Sequence, residues 1–333
     1  MSKLFKTTDA ARRRIFKTRD SALAYYVNQL ENLDKTLYEP LVSVSWGRDI
    51  KLRPGITMSN ESTSFIRSAF GGAGSLSQNL SNGGNMPWIS PETTTIPGIS
   101  INGQKIVLPL RLLAREVSYT SVELERSQLT GQPIDTQKVD ALNFLYQMNT
   151  DQMVYVGSSD VSATGLINDT GITQSFVAAG ISGGTIWTDK TPDEICADVN
   201  TLLTNTWLAA AYAICPGELR LPPAQFAYIA SQKVSSAGNV SILKFLEENT
   251  ISLKVNGKPL NIQPVKWLTG AGSGGDDRMV AYTNDVSRVR FPMVPIRRET
   301  AYYQGIRYTA PYIWAFGQVE FVYPECVQYA DGI

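Results

Sequence analysis

The sequence contains no histidine. That absence removes the Ser-His-Asp and Cys-His arrangements, the usual imidazole base, and nearly every zinc or iron site built on ring nitrogen. Cysteine is scarce as well. Cys196, Cys215 and Cys326 share no CxxC spacing and cannot close a four-ligand site. Each stands among apolar neighbours, so they are expected to be free, buried and inert thiols, as in a reducing compartment. Charge is low at 18%, and 30 Lys plus Arg balance 30 Asp plus Glu, so no global field advertises an acidic or basic partner. Long apolar runs are missing too. The longest, Trp207 to Cys215, is half of the roughly 18–20 residues a membrane span needs. No apolar stretch follows the basic N-terminus, which argues against a secretion signal. The expectation is a soluble intracellular protein without membrane, cofactor or metal.

What is present is 43% hydrophobic residues over 333 positions, enough to bury one large or two medium domains. The first twenty residues concentrate positive charge: Lys3, Lys6, Arg12, Arg13, Arg14, Lys17 and Arg19 stand against Asp9 and Asp20. Such an arm suits screened phosphate contacts with nucleic acid, and equally a solvated helix or tail. Leu23, Tyr26, Val27, Leu30, Leu33 and Leu37 form one narrow helical stripe that ends before Pro40. Residues 41–50 alternate as a strand would.

Residues 52–104 are rich in Gly, Ser, Thr and Asn, yet hold strand-like pieces at 64–70 and from Gly98 to Leu113. The pattern predicts a long two-stranded excursion. Arms of about 20 residues at about 3.3 Å each reach about 65 Å, whereas a 100-residue domain has a radius of gyration of about 13 Å. A hairpin of that length is marginal alone and should rest on another subunit. Arg67, Phe70 and Trp88 are its expected intersubunit anchors, because aromatics and arginine dominate interface energetics.

Beyond it, 105–120 reads as strand, and the clearest helix runs over 135–156 with Asp135 as N-cap. Thr191-Pro192-Asp193-Glu194 is a capping box that opens a further helix. Residues 191–285 alternate helix and strand, with helices at 224–231 and 241–248, strands at 262–268 and 279–282, and a flexible glycine-rich loop at 270–277. The tail from Val289 is rich in β-formers and should pair with the strands around 105–120.

Candidate chemistry is thin. The glycine run at 270–275 lacks a following Gly-Lys-Ser/Thr, and Asp276-Asp277 would repel phosphate. Asp276, Asp277 and Asn284 lack the spaced oxygens of a calcium loop. Glu116, Glu123 and Glu125 offer a carboxylate pair of the glycosidase kind, which keeps a carboxylate-dependent hydrolase as a distant rival. Nothing in the pattern asks for catalysis.

Val117-Ser118-Tyr119-Thr120-Ser121-Val122-Glu123-Leu124, Gly131, the helix 135–156, Gly157, Gly165-Leu166-Ile167-Asn168 and the ending Tyr323-Pro324-Glu325-Cys326-Val327-Gln328-Tyr329-Ala330-Asp331-Gly332-Ile333 together resemble tailed-phage major capsid proteins. That family has the Hong Kong ninety-seven fold, and the likeness is to the branch similar to encapsulin shells. The resemblance implies an α+β subunit with an N-terminal arm (1–40), and a peripheral domain (41–190 with 286–333) carrying the extended loop and spine helix. An axial α/β domain (191–285) would meet its symmetry mates. It implies many self-copies as hexamers and pentamers in an icosahedral virion shell around double-stranded DNA, assembled in the host bacterial cytoplasm. Portal and decoration proteins are further implied partners. Arg12, Arg13, Arg14, Lys17 and Arg19 would then face DNA or make arm contacts. No fused acidic pre-segment is evident, so a separate scaffold protein is expected. Residues 52–104 contain no lysine, so the shell is expected to lack the covalent links that some members make. An encapsulin-like compartment is the nearer alternative.

Overall fold

The computed structural model describes residues 41–72, 91–92, 99–130, 134–235 and 238–333. The basic arm with its apolar stripe, Trp88 and Gly131 lie outside these.

In chain order the elements are α1 (Trp46–Asp49), β1 (Lys51–Leu52), β2 (Ser62–Gly72), β3 (Ile99–Pro109), β4 (Arg111–Thr120), α2 (Ser121–Thr130), α3 (Ile134–Tyr155), β5 (Gly157–Ser158), β6 (Ala163–Thr164) and β7 (Thr173–Phe176). There follow α4 (Pro192–Ala209), β8 (Glu218–Leu221), α5 (Pro223–Ser231), α6 (Ile242–Asn249), α7 (Ile251–Asn256), β9 (Asn261–Pro264) and β10 (Arg278–Tyr282). The tail holds β11 (Val289–Phe291), β12 (Met293–Arg298), β13 (Tyr302–Gln304), β14 (Arg307–Phe316), β15 (Glu320–Phe321) and β16 (Val327–Asp331).

The expected strand at 41–50 is instead an extended lead-in to the single turn α1. Leu41, Val42 and Val44 are exposed, so the alternation has no sheet face to bury. The amides of Ser45 and Trp46 both donate to Asp151 Oδ1 on α3, at 2.9 and 3.1 Å. The spine helix α3 already includes Ile134, which puts Asp135 inside its first turn, where its charge suits the positive helix end. α3 buries Leu142, Tyr146, Thr150, Asp151, Val154 and Tyr155. Leu145, on the same helix, is exposed.

β4 pairs with β14 through ten antiparallel residues, Arg111↔Phe316 to Thr120↔Arg307. β14 also pairs with β12 and β13. This is the expected union of the tail with 105–120. α3 lies on the face carrying Trp314 and Phe316, whose rings meet Tyr146. The tail does not all stay there, however. β16 enters a second, five-stranded sheet in the order β7-β16-β10-β8-β9. Its Val327–Asp331 run is buried on both faces, so only an interior position satisfies it. Helices α4 to α7 cover this sheet around Ile195, Val199, Leu203, Leu246, Ile262 and Met279.

Three smaller expectations change. The strand at 262–268 stops at Pro264, and Lys266–Leu268 form a 3-10 turn. The glycine-rich loop is pinned, because Gly272 N donates to Asp276 O (2.7 Å) and Ser273 N to Asp331 Oδ2 (2.8 Å). The expected hairpin forms, and β2 pairs with β3 in eleven antiparallel pairs from Ser62↔Pro109 to Gly72↔Ile99. Pairing to Pro109 brings Lys105 onto the hairpin, so the lysine-free stretch is not the whole of it. The capping box is as read: Thr191 Oγ1 accepts from Glu194 N, and Glu194 Oε2 accepts from Thr191 N at 2.8 Å. Thr191→Ala should lower stability by about 1 kcal/mol, as read from a urea midpoint shift at constant slope.

Candidate assembly interface

Besides Asp151, three buried carboxylates hold distant segments together, and they set which surfaces the subunit can present. Glu320 has a fully buried side chain. Its Oε1 accepts from Arg53 Nη1 at 2.6 Å and Thr63 Oγ1 at 2.5 Å, and its Oε2 from Arg290 Nε at 2.6 Å. It therefore ties β11 to the hairpin root. Arg67, four residues further along β2, donates to Val322 O (3.0 Å) and Phe321 O (2.6 Å). Arg53 adds a bond to Ser64 O at 3.0 Å. Alternation along β2 then puts Thr63, Phe65 and Arg67 on the face turned toward the chain's own tail. The opposite face carries Ile66 with its cross-strand neighbour Lys105, and Val107 and Ile101 on β3. These three apolar side chains are exposed by 68%, 53% and 69% for Ile66, Val107 and Ile101.

Asp49, at the end of α1, forms the second node. Its Oδ1 accepts from Arg48 Nε (2.6 Å), and its Oδ2 accepts from Arg48 Nη2 (2.9 Å) and the Tyr155 hydroxyl. Arg220 Nε lies 2.9 Å from Oδ1, close enough for an ion pair though not aligned as a hydrogen bond. Arg220 itself is buried and reaches Glu218 at 2.6 Å. Burial and the neighbouring Asp49 charge push the Tyr155 hydroxyl far above the ordinary phenol range, so it stays a donor. Asp331 forms the third node. It accepts from Arg278 Nε and Nη2 at 2.6 and 2.8 Å, from Ser273 N, and from Gln174 Nε2. Arg278 also donates to Ile167 O at 2.6 Å, so β7, β10, β16 and the Gly165-Leu166-Ile167-Asn168 turn meet there. Bidentate guanidinium–carboxylate pairing fixes geometry as well as charge.

The candidate carboxylate pair does not behave as a catalytic couple. Glu123 caps α2, accepting from Thr120 N at 2.9 Å while Thr120 Oγ1 accepts from Glu123 N. That amide bond, with Lys138 nearby, holds the Glu123 carboxyl below its usual range. Glu116 is exposed on β4, and Glu125 is exposed on α2. The three cysteines are buried. Burial pushes the Cys196 thiol up to about 11 and raises those of Cys215 and Cys326, which makes all three poor nucleophiles at neutral pH. Among the described residues no group of acidic and cysteine side chains is placed to hold a metal ion, and no helix is long and apolar enough to cross a membrane.

Of the expected anchors, Arg67 lies on its own chain's carbonyls, and Phe70 pairs in register with Ile101 on β3. Trp88, Arg12, Arg13, Arg14, Lys17 and Arg19 lie outside the described residues. Sequence reasoning missed the three acid nodes. The only local signals were charges set in apolar runs, Val319-Glu320-Phe321 and Ala330-Asp331. It also missed an aromatic cluster at the far end of β14, where Tyr308 meets Tyr119 and Tyr303 at ring distances of 5.1 and 4.9 Å.

A long hairpin pinned at its root and a β core split between two distant parts of the chain suit a shell-forming structural protein. The family profile described as "Major capsid protein" matches residues 84–333, and the chain belongs to that family. No curated protein matches the sequence. Among solved structures, the capsid of Myoviridae phage XM1 is similar at a TM-score of 0.72 and 15% identity, covering 92% of this chain and 97% of that one. The capsid of the empty GTA particle is similar at 0.54 and 12%, covering 93% and 97%. A virus-like particle from Pyrococcus furiosus is similar at 0.50 and 11%, covering 85% and 91%. The fold is that of phage capsid subunits, and the protein is a major capsid protein, a structural component of the virion shell made of many copies of itself.

Proposed function

We propose that the shell is an icosahedral bacteriophage head of hexamers and pentamers that encloses double-stranded DNA. Its contacts are non-covalent and run through the extended hairpin and the N-terminal arm. The observation that carries this reading is the eleven-pair hairpin, rooted on Glu320 and Arg67 with its other face bare. Residues 1–40 serve as the arm, with Arg12, Arg13, Arg14, Lys17 and Arg19 contacting DNA or neighbouring subunits. Residues 41–190 with 286–333 form the peripheral domain and 191–285 the axial domain, with β7 and β16 lent to the axial sheet. Phe70 and Trp88 anchor the loop on a neighbour, while Arg67 sets its angle. Assembly takes place in the host bacterial cytoplasm with a separate scaffold protein, a portal and decoration proteins as partners.

Particle content tests the reading. Purified particles should contain nuclease-protected DNA, and particles holding a cargo protein instead would favour an encapsulin-like compartment. Boiled particles should give a single band at the monomer mass on a denaturing gel. A ladder of covalent oligomers would contradict the non-covalent lattice and point to Lys105, the one lysine on the paired hairpin strands.

A further inference from the structure

Where the linker from β10 to β11 passes α7 and the start of β8, the chain leaves a cleft of about 490 Å³, a size usual for small-molecule sites. None of the three acid nodes lines it. Its walls come from distant stretches: residues 213–218, Ser252 and Asn256 on α7, Asn261 on β9, and Thr283, Asn284 and Arg288 on the linker. Lys258 stands at its edge and makes no ion pair or hydrogen bond among the described residues. Arg288 has only a long ion pair, 3.7 Å to Asp285. The acid in the wall, Glu218, is already committed, since its Oε2 accepts from Arg220 Nη2 at 2.6 Å and Asn261 Nδ2 at 2.7 Å. Two cations are therefore left over for an anion.

The wall also holds hydrogen-bonding capacity that the chain does not use. Thr283 Oγ1 and Asn284 Oδ1 are shielded from solvent and have no partner, although the Asn284 amide nitrogen donates to Arg48 O at 3.3 Å. Orphaned oxygens beside a cleft point to donors that arrive from outside the chain. Asn256 is fixed in advance, because its Nδ2 donates to Cys215 O at 3.0 Å and Ser252 Oγ at 3.2 Å. A wall ordered before its ligand arrives loses less on binding.

We infer that this cleft binds a small phosphorylated sugar, whatever the assembly state of the chain. A phosphate monoester carries close to two negative charges at neutral pH and three acceptor oxygens. Lys258 supplies a point charge to it and Arg288 a planar fork of donors. The sugar hydroxyls donate to the unused oxygens of Thr283 and Asn284. Bound in this way, the ligand ties the linker between β10 and β11 to α7 and β9.

Calorimetric titration of the full chain with ribose 5-phosphate, inorganic phosphate and ribose separates the two halves of the site. Ribose 5-phosphate should saturate one site per chain and bind at least about tenfold more tightly than phosphate or ribose alone. Lys258→Gln should weaken it by about tenfold or more. Lys254→Gln, at an exposed lysine of α7 outside the cleft, should leave it unchanged. Thr283→Val should weaken ribose 5-phosphate but not inorganic phosphate. That variant should also melt no lower than the parent, because it removes an orphaned hydroxyl. No saturable binding, or equal affinity for ribose 5-phosphate and phosphate, overturns the site. So does a Lys258→Gln or Thr283→Val chain that binds ribose 5-phosphate like the parent. A Lys254→Gln loss as large as that of Lys258→Gln would reduce the binding to diffuse charge attraction and overturn it too.

Discussion

Asp49→Ala is expected to destabilise the subunit by about 3–5 kcal/mol, because it leaves the buried Arg220 guanidinium facing an empty node. Asp49 is fully buried and gathers Arg48, Arg220 and Tyr155 from three parts of the chain. The loss should appear as a lower urea midpoint with the slope unchanged. A paired replacement, Asp49→Leu with Arg220→Met, removes both buried charges and should recover much of the loss, since apolar residues of similar volume often substitute for a buried pair. If Asp49→Ala shifts the midpoint by less than about 1 kcal/mol, the node is not the joint described.

Glu320→Ala should be as damaging, but its effect should centre on assembly. Three donors, Arg53, Thr63 and Arg290, lose their acceptor at once, two of them cationic. A buried donor left unpaired costs about 1–3 kcal/mol, and more when charged. The root of the hairpin should therefore open locally. Amide hydrogen exchange across Ser62–Arg67 should quicken by about a hundredfold, as a local loss of about 2.8 kcal/mol implies. Particle yield should fall with it. Unchanged exchange at Ser62–Arg67 would contradict the claim that Glu320 aims the loop.

How much was legible in the sequence depended on how local the cause was. The Thr191–Glu194 box is decided within four residues, and the sequence reading of it stands. The spine helix and the β2–β3 hairpin follow from side-chain periodicity and glycine placement, which also act over short range. The union of β4 with β14 was read correctly because both strands are long and rich in β-formers. β16 was misplaced, since nothing in Val327–Asp331 says which of two sheets takes it; burial on both faces decides, and that depends on α4 above it. α1 was missed because Asp151, more than a hundred residues away, captures the amides at 45 and 46. The acid nodes were illegible for the same reason. Asp49 finds Arg220, and Glu320 finds Arg53 267 residues away, by tertiary folding alone. The surface reading required the register: only the Ile66↔Lys105 and Ser64↔Val107 pairings show that the lysine shares its face with the apolar stripe.

The central claim is that this chain builds a closed shell from copies of itself, and electron microscopy of the purified protein tests it most directly. Closed icosahedral particles of uniform size are expected, with the hairpin of each subunit resting on its neighbour. A preparation of well-folded protein that stays monomeric, or forms only open irregular aggregates, would contradict it.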